Sequence, residues 1–423
     1  MRVTGGLMLK IAENRQSFLK DGKPFFWLAD TCWSAFTNIT DEEWDIYLHI
    51  RKQQGFNVLQ INILPQWDAS YTDLHYSPKN NNSWYDLNDA YFEHARNMCL
   101  RAKEEGFELA LVLLWCNYIP HTWASDRFET DLIPYDAIDN YVRKVHASFT
   151  DLEPVYIITG DTDFNTEQTV SYYVKGGTLL KELAPHCLYS AHLKGNYTDL
   201  PRGLIQLMDF CMYQSGHNPA DADAPYRLAL DLRQHHPDRP VINSEPCYEE
   251  MGHYGAGRYG RFTRRDVRRA VCTSILAGAC AGVTYGAQGI YSWHKTHKKT
   301  RPGLGEAFDE PKPWQQAVMF EGAWDVSFLK NIMEGMQAGK LKPRQDLLVN
   351  NTKEIRVAET PCGMLVYVPY NTNVKLRTSL AGKHVQAVGL AERYVAEMPV
   401  REEDGVSVIG LHPFHEDALL IIR

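Results

Sequence analysis

Two patterns of apolar positions divide the chain. From residue 25 to 286, short apolar runs without alternation recur between stretches whose apolar positions repeat every three to four residues. The runs are FFWLAD (25–30), FNVLQINIL (56–64), FELALVLLW (107–115), PVYIITG (154–160), CLYSAH (187–192), QLMDFCMYQ (206–214), PVINSE (240–245) and AGVTYG (281–286). Runs this short that are apolar on both faces predict parallel strands covered by helices on each side. The intervening stretches predict those helices. In TDEEWDIYLHIRKQQG, Thr40 and Glu43 make a capping box, Trp44, Tyr47 and Leu48 form one apolar face, and Gly55 ends the helix. The same helix, glycine and strand order returns at 88–115, with Gly106 as the stop. Eight such units predict an α/β fold of the (β/α)8 TIM-barrel type. A doubly wound sheet fits less well, because it usually has fewer strands and a phosphate loop after the first.

Beyond a helical stretch at 313–337 the pattern changes. KEIRVAET, GMLVYVPY, VKLRTSL, HVQAVGL, GVSVIGL and DALLIIR are short β runs separated by turn residues. They predict a small antiparallel, sandwich-like β domain. The expected division is a barrel over 1–337 and a β domain over 341–423.

Barrel enzymes carry their chemistry at the C-terminal ends of the strands. Reading those ends gives Asp30, Trp33, Asn62, Gln66, Trp115, Asn117, Asp161, His192, Tyr213, Gln214 and Glu245, and the loops after the last two strands add Tyr248 and Trp293. Nearly all are groups that bond a hydroxyl or stack on a ring. Two are carboxylates on opposite walls, Asp161 after the fourth strand and Glu245 after the seventh. Cleaving a glycosidic bond takes two carboxylates, one to protonate the leaving oxygen and one to attack or to activate water. A helix cap is the ordinary alternative for Asp161. A carboxylate that closes an apolar strand, as Glu245 does, has few structural uses. Asp163 competes with Asp161 and is the better placed of the two for a cap or supporting role. Glu249 and Glu250 fall in the loop beyond the seventh strand, so Glu245 is the one held rigidly.

Composition sharpens this picture. Aromatic residues make up 12% of the chain, with 10 Trp and 23 Tyr. A large barrel core accounts for part of that, and stacking surfaces for sugar rings for the rest. The net charge of -8 argues against nucleic-acid or anionic-membrane binding. No apolar run approaches the roughly 18 residues of a membrane span, and the opening MRVTGGLMLKIAENRQ lacks the apolar core of a signal peptide. Nine cysteines with no CxxC pair are expected to be reduced thiols of a cytoplasmic protein. The Asn-x-Ser/Thr matches at Asn38, Asn81, Asn196 and Asn350 are then coincidental.

Other motifs carry less. GAGRYG (255–260) matches a dinucleotide fingerprint in letters but follows a loop rather than a strand. There is no HExxH, no HxH after the first strand and no GxSxG, and His235-His236 reads as a solvated helix end. His294 and His297 lie in SWHKTHKK (292–299), a segment better suited to a lid than to a metal. Neither a metal nor a cofactor is expected.

GKPFFWLADTCW (22–33), RKQQGFNVLQINIL (51–64), ITGDTD (158–163), INSEPCYE (242–249) and AGVTYGAQGIYSW (281–293) together resemble the apiosidase-like glycoside hydrolases, family 140, once a family of unknown function. The resemblance covers most of residues 10–335. The β tail resembles the small domain, labelled collagen-binding, that often follows that barrel. The resemblance implies a retaining exo-glycosidase, with apiose or another pentose as the leading sugar, and the missing signal peptide favours a small glycoside or oligosaccharide as substrate. It implies Asp161 as acid/base and Glu245 as nucleophile. Most related barrel glycosidases carry Asn-Glu after the fourth strand, where this chain has Gly160-Asp161. A non-catalytic carbohydrate-binding barrel is the alternative, and retention of both carboxylates argues against it.

Overall fold

The computed structural model describes residues 8–253, 259–298 and 308–423. Three short antiparallel strands, β1 (Lys10–Ile11), β2 (Phe18–Lys20) and β3 (Lys23–Phe25), precede the barrel. Phe18 of β2 packs against Trp27 and Phe210, with ring centroids 5.9 and 5.2 Å away. Those two residues lie where barrel strands begin, so the sheet plugs the N-terminal end and leaves the opposite end for a site.

The barrel strands are β4 (Trp27–Thr31), β5 (Val58–Asn62), β6 (Glu108–Trp115), β7 (Val155–Gly160), β8 (Tyr189–Ser190), β9 (Cys211–Gln214), β10 (Val241–Glu245) and β11 (Gly282–Tyr285). They pair in parallel in the order β8-β7-β6-β5-β4-β11-β10-β9. The seam between β8 and β9 is closed by the residues before β9. Asp209 N–H donates to Tyr189 O at 2.8 Å, and Ser190 Oγ donates to Phe210 O at 2.8 Å. The long helices are α1 (Asp41–Gln53), α2 (Asp89–Glu104), α3 (Ile138–Phe149), α4 (Glu167–Leu183), α5 (Ala224–His235), α6 (Arg264–Leu276) and α7 (Glu321–Gly335). The capping box of α1 forms as the sequence predicts: Glu43 N–H donates to Thr40 Oγ1 at 3.3 Å, and Thr40 N–H to Glu43 Oε2 at 3.0 Å.

The antiparallel part follows. β12 (Lys342–Pro343), β13 (Arg356–Thr360), β14 (Gly363–Val368), β20 (Ala418–Ile422), β16 (Val385–Gly389) and β17 (Val395–Glu397) form one sheet in that order. β15 (Val374–Leu376), β19 (Val406–Ile409) and β18 (Val400–Glu403) form the other. Val366, Leu376, Ile409 and Leu420 pack between them. On the far face of the larger sheet, Leu365, Tyr367 and Leu419 join the barrel's apolar core. Charges lock this seam. The Arg268 guanidinium of α6 bonds Asp417 (2.7 and 3.0 Å to Oδ1), Asp325 (2.6 Å) and Glu416. Arg393 donates to the other oxygen of Asp325 at 2.9 Å, and Tyr367 to Asp417 at 3.0 Å. Among the described residues no helix is long and apolar enough to cross a membrane.

Candidate active site

A cavity of about 350 Å³ opens at the C-terminal end of the barrel, within the size range of sites for small ligands. Trp33, Gln66, Trp115, Asp161, Gln214, Glu245 and Tyr248 line it, as the strand ends suggest. Trp33 and Trp115 stand 5.1 Å apart, and His192 stacks on Trp115 at 5.9 Å. Trp33 Nε1 donates to Tyr248 Oη at 2.9 Å, which fixes the indole beside the cavity.

Glu245 closes β10 at a register irregularity between Asn243 and Glu245. Its Oε1 accepts from Gln214 Nε2 at 3.1 Å and meets His217 Nε2 at 2.8 Å. The other ring nitrogen of His217 accepts the Tyr248 N–H at 3.4 Å, which assigns Nε2–H as the donor to the carboxylate. His192 Nε2 lies 3.1 Å from Glu245 Oε2, at ion-pair distance but off the line of a good hydrogen bond. Ser244 orients that ring: its hydroxyl donates to Tyr213 O at 3.0 Å and accepts from His192 Nδ1 at 2.8 Å. Burial pushes the Glu245 carboxyl up, but the close N–H groups of His192 and His217 and, in their doubly protonated forms, their charge outweigh it and hold the group down at about 2. Glu245 is therefore favoured as the anion.

Asp161 has the opposite environment. It lies in the left-handed region at φ 46°, a strained conformation for a residue with a Cβ. Trp123 Nε1 holds it there by donating to its carbonyl at 2.6 Å. Burial drives its carboxyl well above the ordinary range, and the negative charges of Glu245, Asp68 and Asp163 add to that, with Lys194 opposing. One carboxyl is thus pushed towards its anion and the other towards its protonated form, with both facing one cavity. The preceding glycine has a local cause. A Cβ at Gly160 would lie 2.0 Å from the Trp115 ring, so no asparagine fits where related barrels carry one. Asp163 faces away from this chemistry. Its oxygens take the Trp123 N–H (3.0 Å), Lys194 Nζ (2.7 Å) and Asn165 Nδ2 (3.1 Å).

The remaining predicted residues divide. His192 stands behind Glu245 rather than on the cavity wall. Asn62 is buried with both amide atoms unpartnered, and Asn117 lines a neighbouring hollow that shares Gln66 with the cavity. Three lie elsewhere. Asp30 faces the helix layer, accepting from Tyr47 Oη and Arg51 Nε at 2.7 Å each. Tyr213 also points outward, its hydroxyl donating to Pro225 O at 2.6 Å in α5. Trp293 stacks on Trp314 at 4.4 Å and donates to Glu43 Oε2 at 3.0 Å. Sequence reading missed Asp68, Trp123, Lys194, His217 and Tyr291, all lining residues on loops where no periodicity marks a side chain's direction. Among the described residues no group of three His, Cys, Asp or Glu side chains could hold a metal. Residues 255–258 of GAGRYG, and Lys299 at the end of SWHKTHKK, lie outside the described residues.

A family model described as "Apiosidase-like, catalytic domain" matches residues 12–339. The chain belongs to the apiosidase-like family. It is a glycoside hydrolase, and its barrel is that family's catalytic domain. A solved structure titled "Glycoside hydrolase" is similar at 21% identity and a TM-score of 0.79, with 98% of this chain and 96% of that one covered. A glycoside hydrolase family 5 protein from Bacteroides vulgatus is similar at 21% identity and a TM-score of 0.81, covering 98% and 93%. An endo-1,4-beta-mannanase from Rhizomucor miehei is similar at 12% identity and a TM-score of 0.51. At these identities the likeness speaks to the fold alone. No curated protein matches the sequence.

Proposed function

We propose that the enzyme is a retaining exo-glycosidase that releases a terminal pentose, apiose first among them, from a small glycoside. The observation that carries this reading is the divided pair: two carboxyl groups line the same cavity, Glu245 with its proton affinity lowered and Asp161 with its proton affinity raised. Such opposed environments are what acid and nucleophile roles require. Glu245 attacks the anomeric carbon while Asp161 gives its proton to the departing oxygen. Glu245 loses its negative charge on becoming an ester, which weakens the repulsion that kept Asp161 protonated. Asp161, left ionised by that transfer, can therefore stay so and take a proton from water, whose oxygen attacks the same carbon and frees Glu245. Two displacements return the starting anomeric configuration. Trp33 and Trp115 offer flat apolar faces for the C–H side of a sugar ring.

The test is proton NMR of the first-formed product on a panel of aryl pentosides, apiosides included. Release of the terminal sugar with its configuration retained is the expected result. An inverted product would replace the covalent intermediate with single displacement by water, and internal cleavage of longer chains would remove the exo assignment.

A further inference from the structure

Asp68 is the cavity carboxylate that the two-step chemistry leaves without a task. It sits on the loop after β5, just past Gln66, and lines the cavity that Asp161 and Glu245 share. The side chain is half-buried at the cavity wall, its Oδ1 is largely covered and has no partner, and no other side chain among the described residues bonds either oxygen. Burial pushes this carboxyl up to about 6; its own backbone N–H opposes that, and the Glu245 charge adds to it. A buried acceptor left unmet costs on the order of 1–3 kcal/mol. Such a group in a native fold calls for an explanation, and a ligand that completes it is one.

The neighbours indicate what that something is. Gln214 spends its amide N–H on Glu245, so its unpartnered Oε1 is fixed as an acceptor. Gln66, 7% exposed, also presents an Oε1 without a partner. Three unmet acceptors in one small cavity suit a ligand rich in O–H donors. A carboxylate offers two oxygens side by side, matching two hydroxyls on adjacent carbons.

We propose that Asp68 is the specificity determinant of the sugar pocket: its carboxylate receives two neighbouring hydroxyls of the terminal sugar, which must therefore carry a free vicinal diol. This rests on the glycosidase reading above, and the test separates the two. Wild type, Asp68→Asn and Asp68→Ala are assayed on 4-nitrophenyl pentosides, apiosides included, and on analogues lacking or O-methylating one hydroxyl of the diol. In wild type, losing either hydroxyl should lower kcat/KM on the order of 10–100-fold. Asp68→Asn should lose as much on the parent glycoside and little more on the analogue, because both changes remove one contact. Its pH–rate profile should keep both limbs, as expected of a binding residue rather than a proton carrier.

Fully additive losses, or a preference for an amino-sugar analogue, overturn the assignment of Asp68, while turnover of the parent keeps the glycosidase reading. If wild type turns over none of these glycosides, the pentosidase reading falls and calorimetry with the free pentoses decides Asp68. Binding lost in Asp68→Ala supports the assignment; equal binding, or none to wild type, overturns it. The analogue series on wild type needs no variant to fold, and thermal melting checks those that are used.

Discussion

Two places in the molecule gather three carboxylates in a buried spot. At the seam with the β domain, Asp325, Asp417 and Glu416 surround Arg268, and both oxygens of Asp325 and of Asp417 have a partner. At the barrel mouth, Asp68, Asp161 and Glu245 face one cavity, and among the described residues no guanidinium bonds any of them. Unmet atoms remain there on Asp68, Glu245, Gln66, Gln214 and Trp115. Burying charge is costly in both places. At the seam the chain meets that cost with its own cations, and the product is a fixed joint between two helices and one sheet. At the mouth several polar atoms have no partner among the described residues, and the proton affinities of Glu245 and Asp161 are driven apart. Polar satisfaction, more than the number of acidic residues, separates a joint from a site.

The comparison breaks first at Glu245. Glu245→Gln should lower kcat by on the order of 10⁴-fold or more, because an amide cannot attack the anomeric carbon. Its melting temperature should stay close to that of wild type. A variant that melts early, as a seam variant would, and keeps its activity would make Glu245 a structural residue.

Asp161→Asn comes next, with a loss on the order of 10²–10⁴-fold on substrates with poor leaving groups. An activated aryl glycoside should still form the intermediate, since a phenolate leaves without a proton. Azide should then restore turnover and give a glycosyl azide of the starting configuration. The basic limb of the wild-type profile, where the raised Asp161 carboxyl loses its proton, should vanish in this variant. Rescue seen in Asp163→Asn instead would move the acid/base role two residues along.

The sequence made the barrel legible because eight apolar runs without alternation admit few other folds. Predicted and observed strands share most of their residues, as at PVYIITG and Val155–Gly160. The same lack of alternation hid which way a strand-end side chain points. Asp30 and Tyr213 end their strands on the helix-facing side, and a run buried on both faces holds no record of that parity. Asp68 and His217 were illegible for another reason: loops have no period. The seam was hidden by distance, since Arg268 meets Asp417 149 residues away.

Arg268→Ala tests the other side of the comparison. It leaves Asp325 and Asp417 buried with fewer partners, so stability should fall by about 3–5 kcal/mol. At a temperature where the variant is folded, kcat should match wild type. A matching loss of kcat would mean that the seam and the mouth are coupled, and that satisfaction alone does not set them apart.

The smallest effect is expected at His217, which lowers the Glu245 pKa without reacting. In wild type, Glu245 ionises at about 2, so the acid limb of kcat/KM should lie below the range in which most assays run. His217→Ala removes the donor to Oε1 at 2.8 Å and leaves burial less opposed. The Glu245 carboxyl then rises, and the acid limb should move up in pH. Stability follows with a definite sign. A carboxyl depressed below its unfolded value of about 4.3 stabilises the fold above that pH, and the contribution fades as pH falls towards 2. The stability difference between wild type and His217→Ala should therefore be largest above pH ~5 and shrink steadily towards pH ~2. His217→Gln, which can still donate to Oε1, should bring the limb part of the way back. An acid limb unmoved in both variants, with stability lost equally at every pH, would show that His217 packs beside Glu245 without setting its charge.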